Sequence, residues 1–253
     1  MKLFETITGW VEARDQLNGA GKSIGFVPTM GALHEGHLSL IAKAKAENNF
    51  ALVSIFVNPT QFNNREDLEK YPRTLESDLA MLEARGVDGV LLPHESQIYA
   101  DGYRFKLSEN EKSKILCGAF RPGHFDGVLT VVMKLLGVAQ AQNCYMGEKD
   151  YQQLQLIQDL CEAFFINTKV VACPTMREPS GLAMSSRNQR LSPTARERAA
   201  LIYKALVEAK TPTAARDVLT NQGFQVEYIE EHWGRRFIAA HIENVRLIDN
   251  VAI

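Results

Sequence analysis

The sequence predicts an α/β fold: a Rossmann-like doubly wound parallel sheet followed by a smaller α+β C-terminal domain. Three observations carry this reading. Short charge-poor runs alternate with helix-like segments through the first two thirds of the chain, the β-then-α order that builds parallel sheets. The run Phe50–Val57 is rich in Phe, Val and Ile and bears no charge, as a strand covered on both faces requires. After Pro174 the texture changes to one alanine-rich helix and several short strand-like runs. The division is therefore expected as 1–173 and 174–253.

Taken in order, Ser23–Pro28 is a short apolar run ending in proline, and His37–Asn48 reads as a helix rich in Ala, Leu and Lys. Asn58-Pro59 ends the Phe50–Val57 strand. Leu75–Arg85 carries an apolar stripe at 75, 79 and 82, with Gly86 placed to cap it. Val87–Leu92 is a third strand closed by Pro93. A surface role is the default for Asp88 at its start. Gly127–Gly137 reads as a buried helix, Asn143–Met146 as a strand, Tyr151–Phe164 as a helix and Asn167–Cys173 as a strand. Ala195–Lys210 is the alanine-rich helix, and Phe224–Ile229, Arg236–Ile242 and Arg246–Leu247 suggest short antiparallel strands.

Charge excludes some functions. The formal net charge of −2 gives neither a nucleic acid nor an anionic membrane surface anything to attract as a whole. The longest charge-free run, Asn48–Asn64, has 17 residues and includes Asn58, Pro59, Thr60 and Gln61, short of the ~20 apolar residues of a membrane span. Lys2, Glu5, Glu12, Arg14 and Asp15 interrupt the start of the chain, so no signal peptide is expected. The four cysteines, with no CxxC spacing, read as small buried hydrophobes in a reducing cytoplasm.

The chemistry centres on Pro28-Thr29-Met30-Gly31-Ala32-Leu33-His34-Glu35-Gly36-His37, between a strand and a helix. A helix N-terminus offers free N–H groups and partial positive charge, which suit phosphate. Gly36 admits close approach of a ligand. His34 and His37 can donate to phosphate oxygens as charge builds in a transition state. The bland alternative is a helix capped by histidine with no ligand. His-Glu-x-His is not the His-Glu-x-x-His of zinc proteases, and no third ligand is evident.

A second stretch, Pro174 to Asn188, contains Met184-Ser185-Ser186-Arg187. Arg187 can grip phosphate bidentately and the serines can add hydroxyl donors; alone, it would pass for an ordinary turn. Together with the histidine loop it points to nucleotidyl transfer, chemistry that asks for positioning and charge stabilisation. In Gly147-Glu148-Lys149-Asp150-Tyr151-Gln152-Gln153, Lys149 could hold phosphate and Asp150 ribose, or the run could be a solvated helix start with Asp150 as N-cap. Gln61 and Gln153, at strand ends, could read a small polar acid without adding charge. Arg121-Pro122-Gly123-His124 is a compact turn in which His124 is as readily structural as ligand-contacting.

These segments resemble the pantothenate synthetase (pantoate–β-alanine ligase) family. The matching stretches are 27–37, Val57-Asn58-Pro59-Thr60-Gln61-Phe62, Tyr71-Pro72-Arg73-Thr74, 121–128, 147–153, 174–188 and Arg246-Leu247-Ile248-Asp249-Asn250. One departure is Asn63-Asn64-Arg65, where the family usually has a Gly-Pro-type turn. The resemblance implies that pantoate attacks the α-phosphate of ATP, giving pantoyl adenylate and pyrophosphate. β-Alanine would then displace AMP. It implies an ATP site of Pro28, Thr29, Met30, Gly31, His34, Gly36, His37, Gly147, Lys149, Asp150, Met176, Met184, Ser185, Ser186 and Arg187. His34, His37, Lys149 and Arg187 would serve catalysis. Met30, Gln61, Arg121, His124 and Gln153 would serve pantoate and β-alanine. A cytoplasmic homodimer using Mg2+ is likewise implied. The reactive adenylate calls for a lid, with Gln61–Gly89 and 174–188 as candidates and the 174–253 unit as a lid domain.

Two rivals remain in view. An enzyme transferring a nucleotide to a phosphorylated acceptor would need extra cations for that phosphate. A silent nucleotide-binding protein would bind ATP without releasing pyrophosphate.

Overall fold

The computed structural model describes all residues 1–253. In chain order the elements are β1 (Lys2–Phe4), α1 (Ile7–Gly19), β2 (Ile24–Thr29), α2 (Glu35–Glu47) and β3 (Phe50–Ile55). Then come α3 (Arg65–Glu69), α4 (Leu75–Ala84), β4 (Gly89–Leu91), α5 (Glu95–Ile98), α6 (Cys117–Phe120) and α7 (His124–Ala139). β5 (Asn143–Gly147), α8 (Tyr151–Ala163) and β6 (Lys169–Cys173) complete the parallel sheet. The remainder is α9 (Pro193–Ala199), α10 (Leu201–Glu208), α11 (Pro212–Asn221), β7 (Gln225–His232), β8 (Arg235–Ile242) and β9 (Val245–Ala252).

β1–β6 form one parallel sheet in the order β1-β4-β3-β2-β5-β6. Its strands alternate between two apolar layers. Ile24, Phe26, Leu52, Leu91, Cys144 and Met146 face a core shared with α1, α7 and α8, whereas Val27, Val53, Val90 and Tyr145 face one shared with α2 and α4. Burial on both faces explains the charge-free Phe50 run. Strand order reverses between β2 and β5, and such a switch point opens a crevice at the strands' C-terminal ends.

The antiparallel sheet β7-β8-β9 also works on two faces. Ile229, Ile238 and Ala240 pack with α9–α11, while Tyr228, Phe237 and Ala239 join the main core. The last part of the chain is thus seated against the first.

Several expectations are corrected. The first 22 residues carry β1 and α1, neither of which the sequence pattern announces: β1 is three residues long, and charged positions obscure the helical stripe behind buried Trp10 and Arg14. Thr6 caps α1 by accepting from Gly9 N at 3.1 Å. The alanine-rich segment is two helices rather than one, parted at Ala200. α11 has no counterpart among the expected elements, and the three late strands run eight residues each, longer than expected. Alternation with charged residues on the open positions shortens their apparent length. Asp88 is not a bystander, because its carboxylate accepts from Ala51 N at 2.8 Å and so ties β4 to β3. Within the lid candidate Gln61–Gly89, the short helix α3 precedes the expected helix α4 and has no counterpart in the sequence reading.

Candidate functional site

The crevice at the switch point is a cleft of about 330 Å3. The end of β2 supplies the histidine loop, the end of β5 supplies Gly147–Asp150, and the 174–188 segment and β9 close the sides. All the residues expected at the site line it except Gly31, which lies behind the surface.

His34 is the N-cap of α2, and its Nδ1 accepts from Gly36 N at 3.1 Å. The capping alternative is therefore real, and it does not compete with ligand binding: Nδ1 as acceptor puts the proton on Nε2. The reason for Gly36 also changes. A Cβ there would come within 2.8 Å of His34 Cε1, so the glycine first makes room for the folded-back imidazole. The His34 and His37 ring centroids are 4.1 Å apart. His37 Nδ1 is buried with no hydrogen-bond partner in the chain.

Burial, and then the nearby Lys149 ammonium, pull His34 down to about 4; burial, His34 and Lys149 pull His37 down to about 3. Both rings are neutral at neutral pH and offer N–H donors rather than charge. The unfolded chain binds more protons than the folded one below about pH 6.5. Stability from these groups is complete above that pH and is lost as the pH falls toward the folded values. A melting temperature that drops from about pH 7 to pH 5 is expected, with a shallower slope in a His34→Gln/His37→Gln variant. Equal slopes in the two proteins would contradict burial of neutral rings.

Lys149 stands beside Asp150, with Nζ 3.7 Å from Oδ2. Asp150 precedes α8 but makes no side-chain cap bond, so the capping alternative is set aside and Lys149 is the neighbour its carboxylate pairs with. Asn250 on β9 donates to the carbonyls of Glu148 (2.9 Å) and Lys149 (3.0 Å). That contact gives the C-terminal Arg-Leu-Ile-Asp-Asn run a role in placing Lys149. Asp249, beside it, takes Arg177 at 2.6 and 2.9 Å and anchors the 174–188 segment.

That segment folds on itself, Met184 N donating to Met176 O at 3.0 Å. Ser186 Oγ donates to Ala32 O at 3.0 Å. The Ser186 proton is thus spent on the histidine loop instead of a phosphate. Ser185 Oγ accepts from Arg187 N at 3.3 Å and keeps its proton. Thr29 Oγ1 is turned inward, bonding Ser54 O at 2.8 Å. Arg187 pairs with Asp67 at 3.0 Å, and Asp67 also holds Arg190 at 2.6 Å. The two candidate lid segments meet at this carboxylate.

At the other end of the cleft, Asn58 is buried and its Nδ2 donates to Gln61 Oε1 at 3.0 Å, while Tyr99 OH donates to Asn58 Oδ1 at 2.6 Å. Gln61 consequently presents its NH2 as the free end. His124 is fully engaged: Nδ1 bonds Gln61 O at 2.8 Å and Nε2 meets Arg121 Nη1 at 3.0 Å. Arginine has only donors, so Nε2 accepts and Nδ1 donates. With both ring nitrogens bonded within the chain, His124 braces Arg121 and Gln61 while its ring lines the cleft. Arg121 has no carboxylate partner, and burial followed by the Arg246 and Arg187 charges lowers it to about 10. It remains cationic at neutral pH, so the end of the cleft with the amides carries a positive charge beside them. Asn63, at the departure from the family turn, donates to Pro122 O, and Asn64 caps α3 through Glu66 N at 2.8 Å.

Sequence reasoning passes over Asp67, Asp78 and Arg246. Asp78 sits four residues before the buried Leu82 on one face of α4, and a carboxylate in an apolar stripe is the available signal. Asp67 carries no local signal, because its partners Arg187 and Arg190 lie 120 and 123 positions along the chain, and Arg246 is read only as part of a matching stretch, without a site role.

The chain matches the family model described as Pantoate-beta-alanine ligase over residues 2–252. It is 54% identical over 231 residues to the pantothenate synthetase of Bdellovibrio bacteriovorus, covering 91% of this chain and 92% of the relative. To that of Legionella pneumophila (strain Lens) it is 48% identical over 250 residues, 99% of both. Among solved structures it superposes on a pantoate-beta-alanine ligase from Francisella tularensis complexed with beta-gamma ATP and beta-alanine. That match has a TM-score of 0.95 at 46% identity, covering 100% of this chain and 97% of the other. A pantothenate synthetase from Thermus thermophilus gives a TM-score of 0.92 at 37% identity, covering 100% and 99%.

Proposed function

The chain belongs to the pantoate-beta-alanine ligase family, and we propose that it joins pantoate to β-alanine through a pantoyl adenylate held in the switch-point cleft. ATP and β-alanine are ligands of the Francisella relative. The observation that carries the site reading is the convergence, in one cleft, of two neutral imidazoles, Lys149 and Arg187 with the amides of Gln61 and Gln153.

In the first step a pantoate carboxylate oxygen attacks the α-phosphorus of ATP, and the bond to the β-phosphate bridge breaks to release pyrophosphate. His34, His37 and Lys149 stabilise the charge gathering on the phosphate oxygens. Arg187 leaves Asp67 for the triphosphate, with Ser185 adding a hydroxyl. Asp150 takes the ribose hydroxyls, and the 176–184 turn flanks the base. Gln61 and Gln153 hold pantoate. In the second step the β-alanine amine, having lost its proton, attacks the pantoyl carbonyl carbon, and AMP departs with one former pantoate oxygen. Arg121 offers its unpaired charge to the acceptor's carboxylate. Its cation also gives the acid pocket a counter-charge, which the rival acceptor with a phosphate would share; the family match decides between them.

Asp67 and Asp150 line the cleft, but no group of three or more His, Cys, Asp or Glu side chains converges as a metal nest. The residues present do not fit a resident ion, so magnesium belongs with the triphosphate, and no step above depends on a protein-held metal. The division at 173/174 is part of the proposal, supported by the separate apolar cluster of residues 182–247. So are a homodimer, which rests on the family resemblance alone, and a cytoplasmic location: all four cysteines are buried and unpaired, in keeping with a reducing compartment. No helix is long and apolar enough to cross a membrane.

Gln153→Ala tests the pocket. The KM for pantoate is expected to rise about tenfold, the scale of one lost hydrogen bond of ~1.4 kcal/mol, with the KM for ATP unchanged. The reverse pattern would show the amide to serve the nucleotide.

A further inference from the structure

Asp78 is 1% exposed and forms no ion pair. Its charge is met almost wholly by backbone. Oδ2 accepts from Ala32 N at 2.9 Å and Oδ1 from Leu33 N at 2.8 Å, and the Thr74 hydroxyl is 3.2 Å from both oxygens. The amides it engages belong to the turn that leads into His34. Gly31 and Ala32 are both left-handed there, at φ 76° and 49°, and an alanine resists that conformation. A Cβ on Gly31 would stand 3.0 Å from Asp78 Oδ2, so the glycine is where the carboxylate needs it. The Ala32 carbonyl is held in turn by Ser186.

We propose that Asp78 is a positioning residue for adenylate formation. Its carboxylate holds the Gly31–Ala32 turn in the left-handed form and thereby aims the His34–His37 pair at the α-phosphate. A second consequence is selective. With the Ala32 and Leu33 amides already bonded to a carboxylate, the turn has no free N–H at those positions, and phosphate is directed to the imidazoles and the start of α2. This inference rests on the assignment of those imidazoles to the nucleotide.

The alternative is a purely structural carboxylate that anchors α4. The two differ in what should rescue a loss. If Asp78 acts by holding Ala32 left-handed, a glycine at that position, which adopts the conformation freely, should restore activity without restoring the hydrogen bonds. Asp78→Asn is expected to slow pantoate-dependent pyrophosphate release by about 10²-fold, the scale of an ångström misplacement, with the pantoate KM within about twofold. Adding Ala32→Gly should recover at least about tenfold of that loss. Full-rate Asp78→Asn enzyme, or a folded double variant as slow as the single one, would overturn the proposal. If Asp78→Asn does not fold, Thr74→Val, which removes only the hydroxyl behind the carboxylate, serves instead. A loss of about threefold to tenfold recovered by Ala32→Gly supports the role, and no loss or no recovery overturns it. Wild-type enzyme assayed alongside separates the readings. No pantoate-dependent pyrophosphate from the wild type would overturn the two-step reaction itself, not the Asp78 role alone.

Discussion

Replacing His37 with alanine is expected to lower pantoate-dependent pyrophosphate release by about 10²–10³-fold, the scale of losing one preorganised donor to a transition state. Burial, helped by His34 and Lys149, holds this imidazole neutral, so the variant loses an N–H donor and not a cation. That distinction has two consequences. His37→Asn, which keeps an N–H, should retain more activity than His37→Ala. The loss should also be nearly independent of ionic strength, unlike that of a lysine or arginine variant. Rapid-quench measurement of pyrophosphate at two salt concentrations checks both; a full-rate His37→Ala enzyme would take the residue out of the reaction.

Lys149→Ala should cost the same half-reaction about 10²-fold or more, because it removes a full positive charge from the phosphates in a partly dry cleft. Its ammonium also helps to depress His34 and His37, so both imidazoles should titrate at higher pH in the variant. An NMR titration of the histidines gives that readout independently of turnover. The rate of the β-alanine step, started from preformed pantoyl adenylate, should change far less. If only that second step slows, Lys149 belongs to the acceptor and not to the nucleotide.

Much of this architecture is visible in the sequence because the responsible signals are local. A strand such as β3, buried on both faces, needs a charge-free run, and one is written at Phe50–Val57. The His34-Glu35-Gly36-His37 loop is legible because a strand end, a glycine and a helix start are contiguous. β1 and α1 escape notice for the opposite reason. The strand has three residues and the helix buries Arg14, whose stem packs while its guanidinium reaches Val138 O at 3.1 Å. That bond spans 124 positions, and no periodicity reports it.

The same limit governs the site. Gln61, just past β3, and Gln153, in the first turn of α8, are recognisable as amides near the strands' ends, but the direction of the Gln61 amide depends on Asn58 and, behind it, on Tyr99, 41 residues on. By sequence His124 is equally able to bind substrate or to brace the fold; the bonds of its two nitrogens to Arg121 and Gln61 show the bracing, which the sequence alone does not report. Arg187 and Ser186 read as phosphate donors by composition. What composition does not show is that, in the structure, Ser186 fastens the 174–188 segment to Ala32 and Arg187 rests on Asp67. Charge and hydrogen-bonding capacity are sequence properties, whereas the partner that uses them is decided by packing.

The central claim, that pantoate is activated as an adenylate before the amine attacks, is tested most directly by following the carboxylate oxygen. Enzyme, ATP, magnesium, β-alanine and pantoate labelled with heavy oxygen in both carboxylate positions are incubated, and the AMP produced is examined by mass spectrometry. The two-step account predicts one labelled oxygen in each AMP, and pantoate-dependent pyrophosphate when β-alanine is left out. Unlabelled AMP, with pyrophosphate released only in the presence of β-alanine, would contradict it.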